Sequence, residues 1–275
     1  MYNEAINPTS IQGAQMLLRE PFASLEGHTA VVTGGARGIG FQVADSLRSI
    51  GMSLLLIDRD GDELDRAVKA MRAAEGTGEV AGVTADLGAD DLAGVETALD
   101  ELAPVTVWVN NAGGVSHQAA EDTDPATFEG LFRNNVVSAL RGGQLAFRRM
   151  TAAGAAGGAI VNITSLVTEK VLPERLSYST SKAALGNVTR HMAQEWGPHG
   201  IRVNAVSPGY IDSRLTQWPD DDPRQISKLA TMGTLALRRL GQASDIADTV
   251  LYLISPLASY VTGQTIFVDG GWHLT

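Results

Sequence analysis

Seven short apolar runs divide the chain, and each except the last leads into a helix-length stretch before the next begins. They are TAVVT at 29–33, SLLLID at 53–58, VAGVT at 80–84, VTVWV at 105–109, GGAIVNIT at 157–164, IRVNAVS at 201–207 and TIFV at 265–268. The runs are continuously apolar rather than alternating, and several are β-branched. That pattern suits strands buried on both faces. Helices are expected at 39–50, 61–74, 90–101, within 125–153, at 178–196 and at 243–254. Strands alternating with helices of this length require right-handed crossovers. The expected fold is therefore α/β: a doubly wound, seven-stranded parallel sheet with helices on both faces. The stretch 212–240 reads as irregular and polar. No Pro/Gly/Ser linker splits the chain, so 29–275 is expected as one domain behind an extension, 1–28, where a helix at 11–19 would end at Pro21. A ligand belongs at the carboxyl ends of the strands.

Composition narrows the chemistry. The 44% apolar residues can fill a core of 275-residue size. With no cysteine, disulfides, thiolate metal sites and a cysteine nucleophile are excluded. The net charge of -10 argues against broad attraction to nucleic acid or anionic lipid, but not against a local anion site. No apolar run reaches membrane-spanning length. The start, MYNEAINPTSIQGAQMLLREPF, lacks the basic-then-apolar order of a secretory signal, so a soluble cytoplasmic protein is expected. No HExxH occurs, and His117, His191 and His199 read as surface or packing residues, with no metal site expected.

The first strand runs into Thr33-Gly34-Gly35-Ala36-Arg37-Gly38-Ile39-Gly40, where a helix opens. Gly34, Gly38 and Gly40 let backbone approach a pyrophosphate, and the helix N-terminus offers free N–H groups and a favourable dipole. The spacing is not GxGxxG, and no GKS or GKT marks a nucleoside-triphosphate loop. Asp58 ends the second strand, where a carboxylate accepts from ribose hydroxyls and repels a 2'-phosphate, favouring NAD. Arg37 and Arg59 pull the other way, since either can pair with a 2'-phosphate, so NADP stays open. Asp86 ends the third strand and can accept from an adenine amine, with Leu87 beside it. Asn110-Asn111-Ala112-Gly113 ends the fourth, and its small residues let a cofactor lie against the sheet.

Tyr178 and Lys182 are four apart on an expected helix and share a face. A phenol is a poor base near neutrality, and a nearby ammonium favours the phenolate. Ser165, just past the fifth strand, can bond a substrate oxygen. Asn135 is a polar residue inside the long helix, where it is mildly unfavourable.

In these motifs the sequence resembles the short-chain dehydrogenases/reductases, in their common cofactor-binding branch. TGGARGIG at 33–40, NNAG at 110–113, Asn135 in RNNV, Ser165 thirteen residues before Tyr178, YSTSK at 178–182, Pro208-Gly209 and TGQTIFVDGG at 262–271 follow in order. The resemblance implies a Rossmann fold and an NAD(P)-dependent oxidoreductase acting on CH–OH donors. It implies Tyr178 as general acid/base, and Lys182 as holder of the nicotinamide ribose and depressor of the tyrosine pKa. It also implies Ser165 as the group that polarises the carbonyl, and Asn135 as a water anchor for proton relay. Ile211 would meet the nicotinamide amide through its backbone, with Ser213 standing where family members often carry threonine. A homotetramer built on long helices is also implied.

Residues 213–239 fall where the family's substrate loop varies, and read as a lid with Leu215, Trp218, Ile226, Leu229, Met232 and Leu235 as its apolar members. Val115, His117, Leu166, Thr168, Glu169 and Tyr210 are expected near the pocket. A cyclic or medium-sized secondary alcohol or ketone ranks first as substrate, sugar-like polyols second and a 3-oxoacyl thioester third. A dinucleotide-binding regulatory protein, and a transferase or epimerase working through transient oxidation, are the other readings.

Overall fold

The computed structural model describes residues 20–74, 76–89, 91–152, 157–212, 219 and 221–275. Seven strands form one sheet: β1 (Thr29–Thr33), β2 (Ser53–Asp58), β3 (Val80–Thr84), β4 (Val105–Asn110), β5 (Gly158–Ile163), β6 (Ile201–Pro208) and β7 (Thr265–Val268). Their order is β3-β2-β1-β4-β5-β6-β7, and every neighbouring pair is parallel. The connections therefore run one way from β1 and the other way from β4. A crevice opens between the carboxyl ends of those two strands.

The helices are α1 (Gly38–Ser49), α2 (Gly61–Ala73), α3 (Ala93–Asp100), α4 (Pro125–Phe132), α5 (Ser138–Thr151), α6 (Leu176–Trp196), α7 (Pro223–Thr234) and α8 (Ala243–Ile254). Successive side chains of β1 leave by opposite faces, as a period of two demands. Ala30 and Val32 join a core with Val43 and Leu47 of α1, Leu64 and Met71 of α2, and Ile246 and Val250 of α8. Val31 joins the other core, with Val95 of α3, Leu145 of α5 and Met192 of α6. Both faces are thus covered, which is why the strands carry no polar alternation. None of the described helices is long and apolar enough to cross a membrane.

The elements depart from expectation in four places. The stretch expected to be irregular contains α7, whose helical signal is broken by Gly233 and preceded by an acidic run. Pro223 at its first position lacks an N–H that the helix would not use there anyway. The helix expected at 90–101 is shortened to α3, whose first N–H bonds the Asp91 carboxylate at 2.9 Å. The long helix at 125–153 is α4 and α5 joined by a π-helical turn, Arg133–Val137, that carries Asn135. Order also begins before β1. A 3-10 helix at Glu20–Leu25 brings Phe22 and Leu25 against the core. The helix expected at 11–19 lies outside the described residues.

A buried polar chain ties the centre of the sheet to the helices behind it. Trp108 Nε1 donates to Asn110 Oδ1 at 2.8 Å, Asn110 Nδ2 donates to Asn162 Oδ1 at 2.8 Å, and Asn162 Nδ2 donates to Thr189 Oγ1 at 2.8 Å. Low dielectric strengthens such a chain and makes any broken link costly. Gly142 of α5 leaves it room: a Cβ there would stand 2.3 Å from Asn110 Oδ1 and 2.8 Å from Trp108 Nε1. Alanine gains about 1 kcal/mol over glycine in a helix interior. Overpacking against a hydrogen-bonded pair costs about 1–3 kcal/mol. G142A is therefore expected to destabilise the protein, read as a lower midpoint in urea with an unchanged slope.

Candidate active site

The glycine turn leaves backbone bare at the crevice. Gly34 and Gly38 hold positive φ angles of 63° and 59°, a region that side chains disfavour. A Cβ on Gly40 would fall 2.1 Å from the Gly34 carbonyl oxygen, and one on Gly34 would fall 2.9 Å from Ala112 Cα. At Gly38 a Cβ would meet nothing within 4 Å, so that backbone faces open space. The N-terminus of α1 begins there, with no side-chain cap from Arg37 and no acid in its first turn. Free N–H groups and the helix dipole at an open turn fit a diphosphate. Ile39 packs partly against the core, leaving its backbone for that surface.

Carboxylates border this turn. Asp58 accepts from the Ala36 N–H at 3.2 Å on one oxygen and from the Asp60 N–H at 3.1 Å on the other. Each oxygen keeps a second acceptor site. Arg37 approaches Asp60 at 3.8 Å, and Arg59 is exposed. Asp86 is exposed and takes the Gly88 N–H at 2.8 Å, whereas Leu87 is buried and has only backbone to offer a ligand. Asn111 clamps the strand ends: its Nδ2 donates to Thr33 O at 3.1 Å and Gly34 O at 2.9 Å. At the end of β6, Gly209 N–H bonds Val268 O at 3.0 Å, and a Cβ on Gly209 would come within 2.7 Å of Asp269. Pro208 and Gly209 thus lie flush with β7, and Ile211 follows in a bridge with Gly241. Ser213 lies outside the described residues.

The chemical residues converge at the same edge of the sheet. Ser165 follows β5 in extended conformation (φ -168°), and its side chain is hydrogen-bonded to Tyr178 on the first turns of α6. Burial pushes the Tyr178 phenol up; the Ser165 hydrogen bond and the Arg175 charge push it down by less. Arg175 therefore joins Lys182 as a cation near the phenol, one that the sequence did not single out. Lys182 Nζ is buried and donates to Ile163 O at 2.8 Å, and burial lowers it to about 8. Asn135 is held from two sides. Its Oδ1 takes the Gly114 N–H at 2.7 Å, and its Nδ2 donates to Gly114 O at 3.0 Å and Ser181 Oγ at 2.9 Å. Both amide hydrogens are committed, so the side chain braces α6 against the β4 loop and can receive from a water but not donate to one. Gly113 fits between: its Cβ would lie 3.0 Å from Asn135 Oδ1 and 3.3 Å from Lys182 Nζ.

The expected pocket residues divide. His117, Tyr210 and Tyr178 gather around Arg175: its guanidinium is hydrogen-bonded to His117 Nδ1, and its charge acts on both phenols. Leu166 is corrected: it is 1% exposed, closed into the interior, and presents no side chain to a ligand. Val115 (55% exposed) and Glu169 lie at the surface. Leu215 and Trp218 lie outside the described residues. Of the other lid members, Leu229 is exposed and Leu235 buried. Sequence reasoning missed Arg175 and Trp272. The Trp272 ring packs 5.9 Å from that of Tyr210, and its backbone carbonyl receives Lys170 Nζ at 3.2 Å. Arg175 had one visible signal, its place one turn before Tyr178.

A family model described as enoyl-(acyl carrier protein) reductase matches residues 34–273. Galactitol 2-dehydrogenase (L-tagatose-forming) of Cereibacter sphaeroides is 37% identical over 90% of this chain and 96% of its own. Gluconate 5-dehydrogenase of Gluconobacter oxydans is 32% identical over 90% of this chain and 95% of its own. Among solved structures, a 7α-hydroxysteroid dehydrogenase complexed with NADH and 7-oxo glycochenodeoxycholic acid superposes with a TM-score of 0.81. It is 32% identical and covers 90% of this chain and 94% of its own.

The burial of Lys182 makes stability depend on pH. Its ordinary value is 10.5 and its folded value about 8. Between those limits the unfolded chain holds a proton that the folded chain has released, so Lys182 makes stability rise with pH. Urea midpoints measured from pH 7.5 to 10.5 are expected to climb in the wild type relative to K182M, which lacks the group.

Proposed function

This chain belongs to the short-chain dehydrogenase/reductase family, and we propose that it interconverts a secondary alcohol of a sugar-like polyol and the corresponding ketone. A bound dinucleotide would supply the nicotinamide for hydride transfer, so that the secondary alcohol and the oxidised dinucleotide would give the ketone, the reduced dinucleotide and a proton. The observation that carries the reading is the hydrogen-bonded Ser165–Tyr178 pair at the same end of the sheet as the open glycine turn.

Each residue then has a task. Tyr178 takes the proton from the carbinol oxygen in oxidation and returns it in reduction. Ser165 donates to the same oxygen and stabilises developing charge. Lys182, with one N–H on Ile163, has two left for ribose hydroxyls. Asn135 keeps α6 in register with Gly114. Gly34, Arg37, Gly38, Ile39 and Gly40 would hold the diphosphate, Asp58 and Arg59 would flank the adenosine ribose, and Asp86 and Leu87 would meet the adenine. Asn111, Ala112 and Gly113 would lie beneath the cofactor, with Pro208, Gly209 and Ile211 at the nicotinamide. NAD is favoured over NADP because the Asp58 carboxylate is anchored by two backbone donors at the rim. Arg37, leaning toward Asp60, is less free to pair with a 2'-phosphate.

Polyols move ahead of cyclic alcohols because the galactitol enzyme is 37% identical to this chain, against 32% for the hydroxysteroid enzyme. Residues 29–275 would act as one domain, with 213–239 as the lid. The outer faces of α5 and α6 form a groove lined by Leu140, Phe147, Val188 and Trp196, away from the catalytic edge. This groove suits the subunit contacts of a homotetramer.

Incubation with a panel of hexitols and pentitols and either dinucleotide, followed at 340 nm, is expected to give turnover with a preference for NAD. Y178F is expected to lose at least about a thousandfold in kcat, in line with removal of an acid/base group, while retaining dinucleotide binding. Turnover undiminished in Y178F would remove Tyr178 from its role. Sedimentation equilibrium is expected at four times the 29.0 kDa chain mass; a monomer would reject the groove as an interface.

A further inference from the structure

Arg175 stands at the N-terminal edge of α6, half-buried, among the groups expected to meet substrate. Its guanidinium is hydrogen-bonded to Nδ1 of His117, and among the described residues no carboxylate reaches it as an ion pair. A ring nitrogen that accepts is unprotonated. Burial first, and then the Arg175 charge, hold His117 below its ordinary value. The pair therefore carries one net positive charge. The nearby Lys170 differs: it is bonded to the backbone carbonyls of Trp272 and Thr275. A planar guanidinium has five N–H donors. One contact with His117 leaves most of that fork uncommitted.

The backbone is strained to put it there. Glu174 has a positive φ of 60°, a conformation that costs a non-glycine residue about 1 kcal/mol or more. It is held by the Gln118 N–H bonding Glu174 O at 3.1 Å, and by the parallel bridge of Gln118 with Arg175. The two short segments 117–118 and 174–175 are thereby locked together. The result is a rigid cation one helical turn from Tyr178 and in electrostatic contact with Tyr210. The Glu174 carboxylate acts on the Arg175 charge without forming an ion pair among the described residues, so the guanidinium fork stays open to a bidentate anion.

We infer that Arg175 receives a carboxylate of the substrate, so that the favoured substrates are polyhydroxylated acids of the aldonate type rather than neutral polyols. This rests on the alcohol–ketone reading of the site. A carboxylate matches the guanidinium fork with two parallel hydrogen bonds. The exposed carboxylates of Glu169 and Glu174 oppose a doubly charged phosphate more strongly than a singly charged carboxylate.

The test compares hexonates and pentonates with hexitols and pentitols matched carbon for carbon, using the full chain with dinucleotide. The readout is the ratio of kcat/KM for acid over polyol. The wild type is expected to favour the acids. R175M is expected to lower the ratio about 10–100-fold, the worth of a charge-assisted hydrogen bond. R175K is expected to recover part of it. Any change that Arg175 makes to Tyr178 affects both substrate classes and cancels in the ratio. An unchanged ratio in R175M, or a wild type that favours polyols, overturns the inference. Calorimetric titration of the same acids onto the protein–dinucleotide complex separates the two readings. Arg175-dependent binding without any turnover would keep the carboxylate site and reject the reaction. Binding that R175M leaves intact would reject the site whatever the turnover. Tighter Arg175-dependent binding of glucitol 6-phosphate than of gluconate would overturn the carboxylate in favour of phosphate.

Discussion

The clamp between the ends of β1 and β4 is the constraint on which the site depends. Thr33 Oγ1 receives the N–H groups of Asn111 and Ala112, both at 3.0 Å, while the Asn111 amide holds Thr33 O and Gly34 O. These two strands are neighbours in space, yet their onward connections leave in opposite directions. The clamp ties together two chain segments that the topology pulls apart. Everything the site needs hangs from its two sides. From Thr33 the chain enters the glycine turn and α1. From Asn111 it runs through Gly113 and Gly114, which Lys182 and Asn135 approach from the other layer. Loosening the clamp would move the cofactor side and the chemical side relative to each other, with no direct contact to either.

Behind it, burial sets the electrostatics. The sheet is covered on both faces, so the groups at its carboxyl edge are desolvated. Desolvation drives a phenol and an ammonium toward neutral forms, which raises one and lowers the other. Tyr178 and Lys182 move in those directions. A tyrosine that exchanges a proton with substrate needs its neutral form for reduction and its anion for oxidation. Ser165 and Arg175 provide stabilisation of that anion. The chain charge of -10 does not oppose this, because the positive features are local: a helix N-terminus, a buried ammonium and a guanidinium.

Period and punctuation made most of the fold legible. Six helices and seven strands were readable because buried parallel strands must be apolar throughout and α/β helices must be amphipathic. The glycines of 34–40 were readable because close backbone approach leaves a residue signature. Three features were not. The π-helical turn at Arg133–Val137 is a single turn between two α-helices, too short for its phase shift to stand out, so RNNVV reads as ordinary helix. α7 was hidden by glycine, proline and acids that locally favour turns. Leu166 looked like a pocket residue from its nearness to Ser165, but a 3-10 turn directs it inward. There the deciding factor is the direction of a side chain, which spacing alone does not encode.

Arg175 illustrates the same limit at the functional site. A residue three positions before Tyr178 shares its helical face only if α6 extends that far, and α6 starts at Leu176. What turns Arg175 toward the phenols is the positive φ of Glu174 and a bridge to Gln118, a partner 57 residues distant (175 − 118) in sequence. Neither leaves a compositional mark, since glutamate is an unfavoured residue for that conformation. A glycine at 174 would relieve the strain, yet it would also free the segment to move the guanidinium away from His117. Strain maintained beside a cation that has no ion-pair partner among the described residues is best explained by orientation: the strain persists because the guanidinium must point in one direction.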